Sequence, residues 1–151
     1  FICYVAFLCT FFVLLSFFIK LKIIIFIVLL GCIASDIGGY LIGKLIKGPK
    51  LTKISPNKTL AGAVGSIIFT NSIIILLCNM ISVNINYKII IAATTTSIFC
   101  QLGDLLFSYL KRKAEIKDTG NFLPGHGGIL DRLDGVLVGL PIGVLTLILS
   151  F

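Results

Sequence analysis

Two carboxylates, Asp131 and Asp134, flank Arg132 in "GHGGILDRLDGV", where the apolar run "ILDRLDGVLVGLPIGVLTLILSF" has already begun. Three apart on a helix, the two acids share a face, with Cβ atoms roughly 5–6 Å apart. Carboxylates that close repel unless one is protonated or a cation sits between them. A hard divalent cation resolves the repulsion, and magnesium sites commonly combine one or two carboxylates with the phosphates of a substrate. The helix dipole also favours acids in a first turn, which accounts for acids in general but not for Arg132 between them. The chemistry indicated is the handling of phosphate with the help of a metal.

Other residues fit the same chemistry. Asp36 and Asp104 lie inside apolar stretches, where a carboxylate is costly and normally faces a polar cavity or a partner. The alternative for each is an ion pair with a lysine or arginine from a loop. Gln101, one turn before Asp104, makes that helix face polar twice. Lys58 and Lys117 each stand in a turn beside small or polar residues. The single histidine, His126, sits among glycines in "PGHGG", where it could orient a phosphate or relay a proton, although a lone loop histidine is more often incidental. Glycine-rich loops also let backbone N–H groups approach phosphates. "GGYLIGKL" opens like a phosphate-loop motif, but Leu45 stands where a Ser or Thr should meet magnesium and no strand precedes it. The five cysteines lie in apolar stretches with no CxxC pair, so they read as small hydrophobes rather than as metal ligands or disulfides.

The elements that position these groups are membrane spans. Of 151 residues, 58% are hydrophobic and 13% charged, and the mean hydropathy is +1.13; an ordinary soluble domain is excluded. A hydrocarbon core takes roughly 20 residues of helix. Phe1–Ile19, Ile23–Gly43, Leu60–Ser82, Ile89–Leu110 and Ile129–Phe151 meet or approach that length. The expected fold is all-α, a polytopic transmembrane helical bundle of about five spans in a single membrane-embedded domain. Runs such as "KIIIFIVLL" lack the alternation a barrel needs. The GxxxG spacings Gly39–Gly43, Gly135–Gly139 and Gly139–Gly143 read as close helix packing, and a homo-oligomer stays open.

The net charge of +7 does not point to nucleic acid, because the basic residues cluster beside spans. One loop holds Lys44, Lys47, Lys50, Lys53 and Lys58; the other holds Lys111, Arg112, Lys113 and Lys117. Two spans separate them, so both emerge on one face. Only Lys20, Lys22 and Lys88 lie in the remaining connections. That asymmetry assigns the two basic loops to the cytoplasm. All six acids, Asp36, Asp104, Glu115, Asp118, Asp131 and Asp134, then fall in the cytoplasmic half of the membrane or its loops. The two loops and the acids together make the expected site.

The stretch "SYLKRKAEIKDTGNFLPGHGGILDRLD" resembles the signature of the phosphatidate cytidylyltransferase family, S-x-x-K-R, four residues, K-D-x-G, then P-G-H-G-G and D-R-x-D. "QLGDLLFS" is similar to the family's Q-x-G-D-x-x-x-S, "SPNKT" to its S-P-x-K-T, and "DIGGYLIG" to its D-x-x-A-Y-x-x-G with Gly39 in place of alanine. The resemblance runs from Asp36 to Asp134, which marks the expected catalytic core, and the family's additional N-terminal spans are not seen here. It implies transfer of CMP from CTP to phosphatidic acid, giving CDP-diacylglycerol and pyrophosphate with Mg2+, by an integral protein of the bacterial inner membrane working among membrane lipids. By the same resemblance Asp131, Asp104, Lys117 and Arg132 are catalytic, and Asp131, Asp104 and Asp134 hold the metal. Ser55, Lys58, Thr59, Ser108, Lys111, Arg112, Asp118 and His126 are the substrate-binding candidates, and Asp36 organises the cavity. One departure stands out: where the family commonly has W-E-G after S-P-x-K-T, this chain has "LAG", so Ala61 replaces an acid. Glu115, the only glutamate, is the candidate to compensate.

Two other readings compete. A CDP-alcohol phosphotransferase also clusters aspartates at a membrane face, but "DGVLVGL" supplies only the opening pair of its motif. An ion-coupled transporter also places acids inside spans.

Overall fold

In a computed structural model, Tyr4, Ala6, Thr10, Phe12, Val13 and residues 17–51, 58–115 and 130–150 are described, the last group without the side chains of Leu130, Asp131 and Arg132. Among the described residues four continuous helices follow in order: α1 (Ile19–Ile46), α2 (Leu60–Met80), α3 (Tyr87–Lys113) and α4 (Leu130–Ile148). Among the described residues Tyr4, Ala6, Thr10, Phe12 and Val13 are also helical, and an isolated antiparallel bridge joins Lys50 and Thr59, so the all-α expectation is met.

The first three helices are long and apolar enough to cross a membrane, and α4 carries a shorter apolar stretch, Leu133–Ile148. The expected span Phe1–Ile19 falls largely outside the described residues. At about 1.5 Å per residue, the 28 residues of α1 outrun a hydrocarbon core. It continues through Lys20, Lys22 and Lys44, where a connection or a span end was expected. Lysine is a good helix former, and its long stem lets the ammonium reach the headgroups while the backbone stays helical.

The helix ends follow from local chemistry. Thr59 caps α2, its Oγ1 accepting from the Gly62 N–H at 3.1 Å. α1 stops at Lys47, which takes a left-handed conformation (φ 47°) just before Gly48 and Pro49, and whose N–H returns to the Gly43 carbonyl. Lys111, Arg112 and Lys113 fill the last turn of α3, where cations offset the helix dipole. Inside the spans, hydroxyls turn back on their own helix: Thr96 donates to the Ala92 carbonyl and Thr70 to the Ser66 carbonyl, which satisfies them without water.

The helices pack chiefly as two pairs, α1 with α2 and α3 with α4. Glycine sets the closeness. A Cβ on Gly62 would lie 2.8 Å from the Gly39 carbonyl oxygen, and one on Gly38 would lie 2.8 Å from that of Gly65. Gly135 and Gly139 press against the backbone of Cys100 on α3 in the same way. The expected GxxxG packing is therefore present, and it operates between helices of one chain. Val28, Cys32, Ile74, Cys78, Ala93, Cys100 and Val144 meet in the core, with the three cysteines free and buried as expected. Large apolar side chains such as Phe26, Val64, Ile68, Leu76 and Ile91 point outward. Ser35, Ser66, Thr70, Thr96 and Ser97 are buried. An apolar exterior around a partly polar interior suits a lipid solvent.

Candidate active site

At the basic end of the bundle the helices leave a cavity of about 330 Å³. Each helix contributes one face. From α1 come Ser35, Asp36, Gly39 and Tyr40; from α2 come Thr59, Gly62, Ala63 and Ser66, at helical spacing. α3 contributes Gln101 and Asp104, α4 contributes Asp134, and the connection before α2 adds Leu51 and Lys58.

Three carboxylates therefore line one small space, together with a lysine. Lys58 forms an ion pair with Asp104. Lys111, two turns beyond Asp104 on α3, reaches Asp134 at 3.2 Å, and the Gly135 N–H donates to the other oxygen of Asp134 at 3.1 Å. Asp134 is buried, so these partners offset the cost of holding its charge out of water. Asp36 lines the same cavity as Lys58, which is paired with Asp104.

A second polar layer lies beneath. The Ser35 and Ser97 hydroxyls are 3.0 Å apart, and Ser66 donates to the Ser35 carbonyl at 2.8 Å. The Gln101 side-chain amide donates to the Ala63 carbonyl at 3.2 Å and to Ser97 Oγ at 3.3 Å. This network ties α1, α2 and α3 together directly under the carboxylates and fixes the amide of Gln101. Sequence reasoning identified Gln101 but not the serines. Their spacing from the glycines, Ser35 to Gly39 and Gly62 to Ser66, was the available signal: a small polar stripe through otherwise apolar spans.

The expected site residues divide into three groups. Lys58, Thr59, Asp104 and Asp134 line the cavity, and Lys111 engages it through Asp134. Ser108 lies one turn beyond Asp104 and is not among the lining residues, and Arg112 is exposed at the end of α3. Ser55, Lys117, Asp118 and His126, and the side chains of Asp131 and Arg132, lie outside the described residues.

Among the described residues no three acidic, histidine or cysteine side chains are close enough to hold a metal. Asp104 and Asp134 share the cavity, yet each is met by a lysine: for Asp104 the ion pair set out as its alternative is present, and for Asp134 the pair with Lys111 was not foreseen. The carboxylates and hydroxyls that line the cavity nonetheless offer oxygen, the donor a hard cation takes. The departure at Ala61 has a plain geometry. Ala61 is not among the lining residues, and a Cβ on Gly48 would lie 3.5 Å from that of Ala61, so position 61 packs against the turn after α1. Glu115 is exposed beyond the end of α3 and does not line the cavity.

Fold and site together define an all-helical protein, built to span a membrane, whose charged groups converge at its basic end. A model of the cytidylyltransferase family matches residues 1–150. The chain belongs to that family. It is 40% identical over 114 residues to a phosphatidate cytidylyltransferase of Mycobacterium leprae (strain TN), a match covering 75% of this chain and 36% of that protein. Proteins of the same name from Staphylococcus haemolyticus (strain JCSC1435) and Staphylococcus aureus (strain COL) are 43% identical over 110 residues and 42% identical over 118. Those matches cover 72% and 77% of this chain, against 42% and 45% of the relatives. The chain thus spans less than half the length of these relatives.

Proposed function

We propose that this chain carries the nucleotide-handling core of a phosphatidate cytidylyltransferase, which transfers CMP from CTP to phosphatidic acid and releases pyrophosphate. The observation that carries the reading is the convergence of Lys58, Asp104, Lys111 and Asp134 on one cavity at the basic end of a membrane bundle. The names of its relatives support the choice of substrates.

In this reaction an oxygen of the phosphatidate phosphate bonds to the α-phosphorus of CTP as the bond from that phosphorus to the bridging oxygen breaks, and pyrophosphate leaves with the electron pair. No protein nucleophile is required; positioning and charge neutralisation do most of the work. Lys58 and Lys111 exchange their carboxylate partners for phosphate oxygens, with Lys117 and Arg132 as further cations. Asp104, Asp134 and Asp131 would hold magnesium, which supplies charge neutralisation at the triphosphate when bound. Gln101, fixed by Ala63 and Ser97, keeps the α3 face in register with α2. The opening at the basic end supports a site that faces the cytoplasm from a bacterial inner membrane, with soluble CTP arriving from one direction and the lipid from the bilayer.

Purified protein in vesicles containing phosphatidate should release pyrophosphate from CTP, and vesicles containing diacylglycerol instead should give none. Release that ignores the presence of phosphatidate would contradict the proposal.

A further inference from the structure

α4 contains a proline, Pro141, within its helical run. Proline has no backbone N–H, and its ring crowds the carbonyl four residues earlier, so the Leu137 carbonyl loses its helical donor. In hydrocarbon no water can replace that donor, and an unsatisfied backbone group is costly. The replacement comes from far away in the chain. The Tyr4 hydroxyl donates to the Leu137 carbonyl oxygen at 2.8 Å.

Leu137 lies one helical turn from Asp134, on the acidic side of the proline. That end of α4 is otherwise held mainly from the α3 side. A Cβ on Gly103 would meet the Asp134 carbonyl oxygen at 2.9 Å, and one on Gly135 would meet that of Cys100 at 3.1 Å. These contacts set how near α4 comes to α3. They do not replace the missing backbone bond between the acidic end and the rest of the helix, and Tyr4 does.

We propose that Tyr4 is a positioning residue for the site: its hydroxyl stands in for the donor that Pro141 lacks and holds the acidic end of α4, with Asp134, at the cavity. The kinetic consequence rests on the nucleotidyl-transfer reading above; the hydrogen bond and its effect on α4 do not.

The test uses Tyr4→Phe, which keeps the ring and removes only the hydroxyl, alone and combined with Pro141→Ala, which restores an N–H to the Leu137 carbonyl. Two readouts are taken on protein in lipid nanodiscs: steady-state turnover of CTP with phosphatidate, and hydrogen exchange of the amides from Gly135 to Leu140. Hydrogen bonds within membranes are worth enough to give about a 3- to 15-fold effect. Tyr4→Phe should lower kcat by about that factor with little change in KM for CTP, and should speed exchange in α4 by a similar factor while leaving α2 unchanged. In the Pro141→Ala background Tyr4→Phe should change neither readout, because the carbonyl is then satisfied within the helix. Unaltered α4 exchange in Tyr4→Phe, or an equal effect in both backgrounds, would overturn the proposal. If no protein turns over CTP, the catalytic reading fails while the exchange measurements still decide the role of Tyr4.

Discussion

At the scale of single residues, the two ion pairs are the decisive feature. A carboxylate placed at membrane depth needs a partner, and in the absence of substrate Lys58 and Lys111 serve Asp104 and Asp134 in that capacity. On the proposed function, phosphates of an incoming nucleotide would compete for the same lysines and free the carboxylates for a cation. Lys58→Met should therefore do two things. It should destabilise the fold, by less than the ~3–5 kcal/mol of a fully buried pair, since the two side chains are 26% and 32% exposed. It should also lower turnover by roughly 10²–10³-fold, the loss seen when one key electrostatic contact is removed. Adding Asp104→Asn should restore the yield of folded protein without restoring activity. Specific activity per folded molecule separates the two effects, and full specific activity in Lys58→Met would refute the role given to this lysine. All four charges were legible as candidates from their types and their position in or beside apolar runs. Which lysine meets which acid was not, because the pairing depends on the relative heights of α2, α3 and α4, and no local pattern encodes that.

At the scale of elements, the glycines decide how the site is assembled. The GxxxG spacings announced close packing, and Gly39 and Gly135 do sit at interfaces. The sequence did not distinguish Gly38, which has no such partner at that spacing but faces α2 more tightly. A Cβ there would lie 2.6 Å from that of Phe69, too near for either helix to stay in place. Gly38→Ala should accordingly cost about 1–3 kcal/mol through overpacking. Gly48→Ala, where the new Cβ meets Ala61 at an ordinary 3.5 Å, should change stability by no more than about 0.5 kcal/mol. Thermal unfolding of the two variants in the same detergent checks the contrast, and equal midpoints would contradict the glycine account. Helix boundaries were less legible than helix existence. Lysine can end a span without ending a helix, so α1 overran its expected limits at both ends. The Tyr4 hydrogen bond left no trace in the spacing at all, since it joins distant parts of the chain.

At the scale of the whole molecule, alternating helix directions put the α1–α2 connection and the end of α3 on one side. The turn between α2 and α3 lies on the other. Cysteines introduced at Lys50 and Gly120 in a cysteine-free background should both react with an impermeant reagent from the cytoplasmic side of oriented membranes, and one at Asn84 only from the opposite side. Labelling of Lys50 and Gly120 positions from opposite faces would dismantle the shared site. The helical, membrane-spanning class was legible from composition alone because lipid imposes so strong a constraint on backbone. The family was legible from motifs that hold the chemistry, whereas the cavity's shape came only from packing.

The claim that joins these scales is that the chain cleaves CTP at its α-phosphorus and leaves CMP on a phosphatidate acceptor. CTP labelled either at the α- or at the γ-phosphorus, supplied to the purified protein in phosphatidate vesicles with magnesium, tests this directly. The α-label should pass into the lipid fraction and the γ-label into soluble pyrophosphate, with both transfers abolished by EDTA and restored by added magnesium. Appearance of the γ-label in lipid, or retention of both labels in the aqueous nucleotide, would contradict the account.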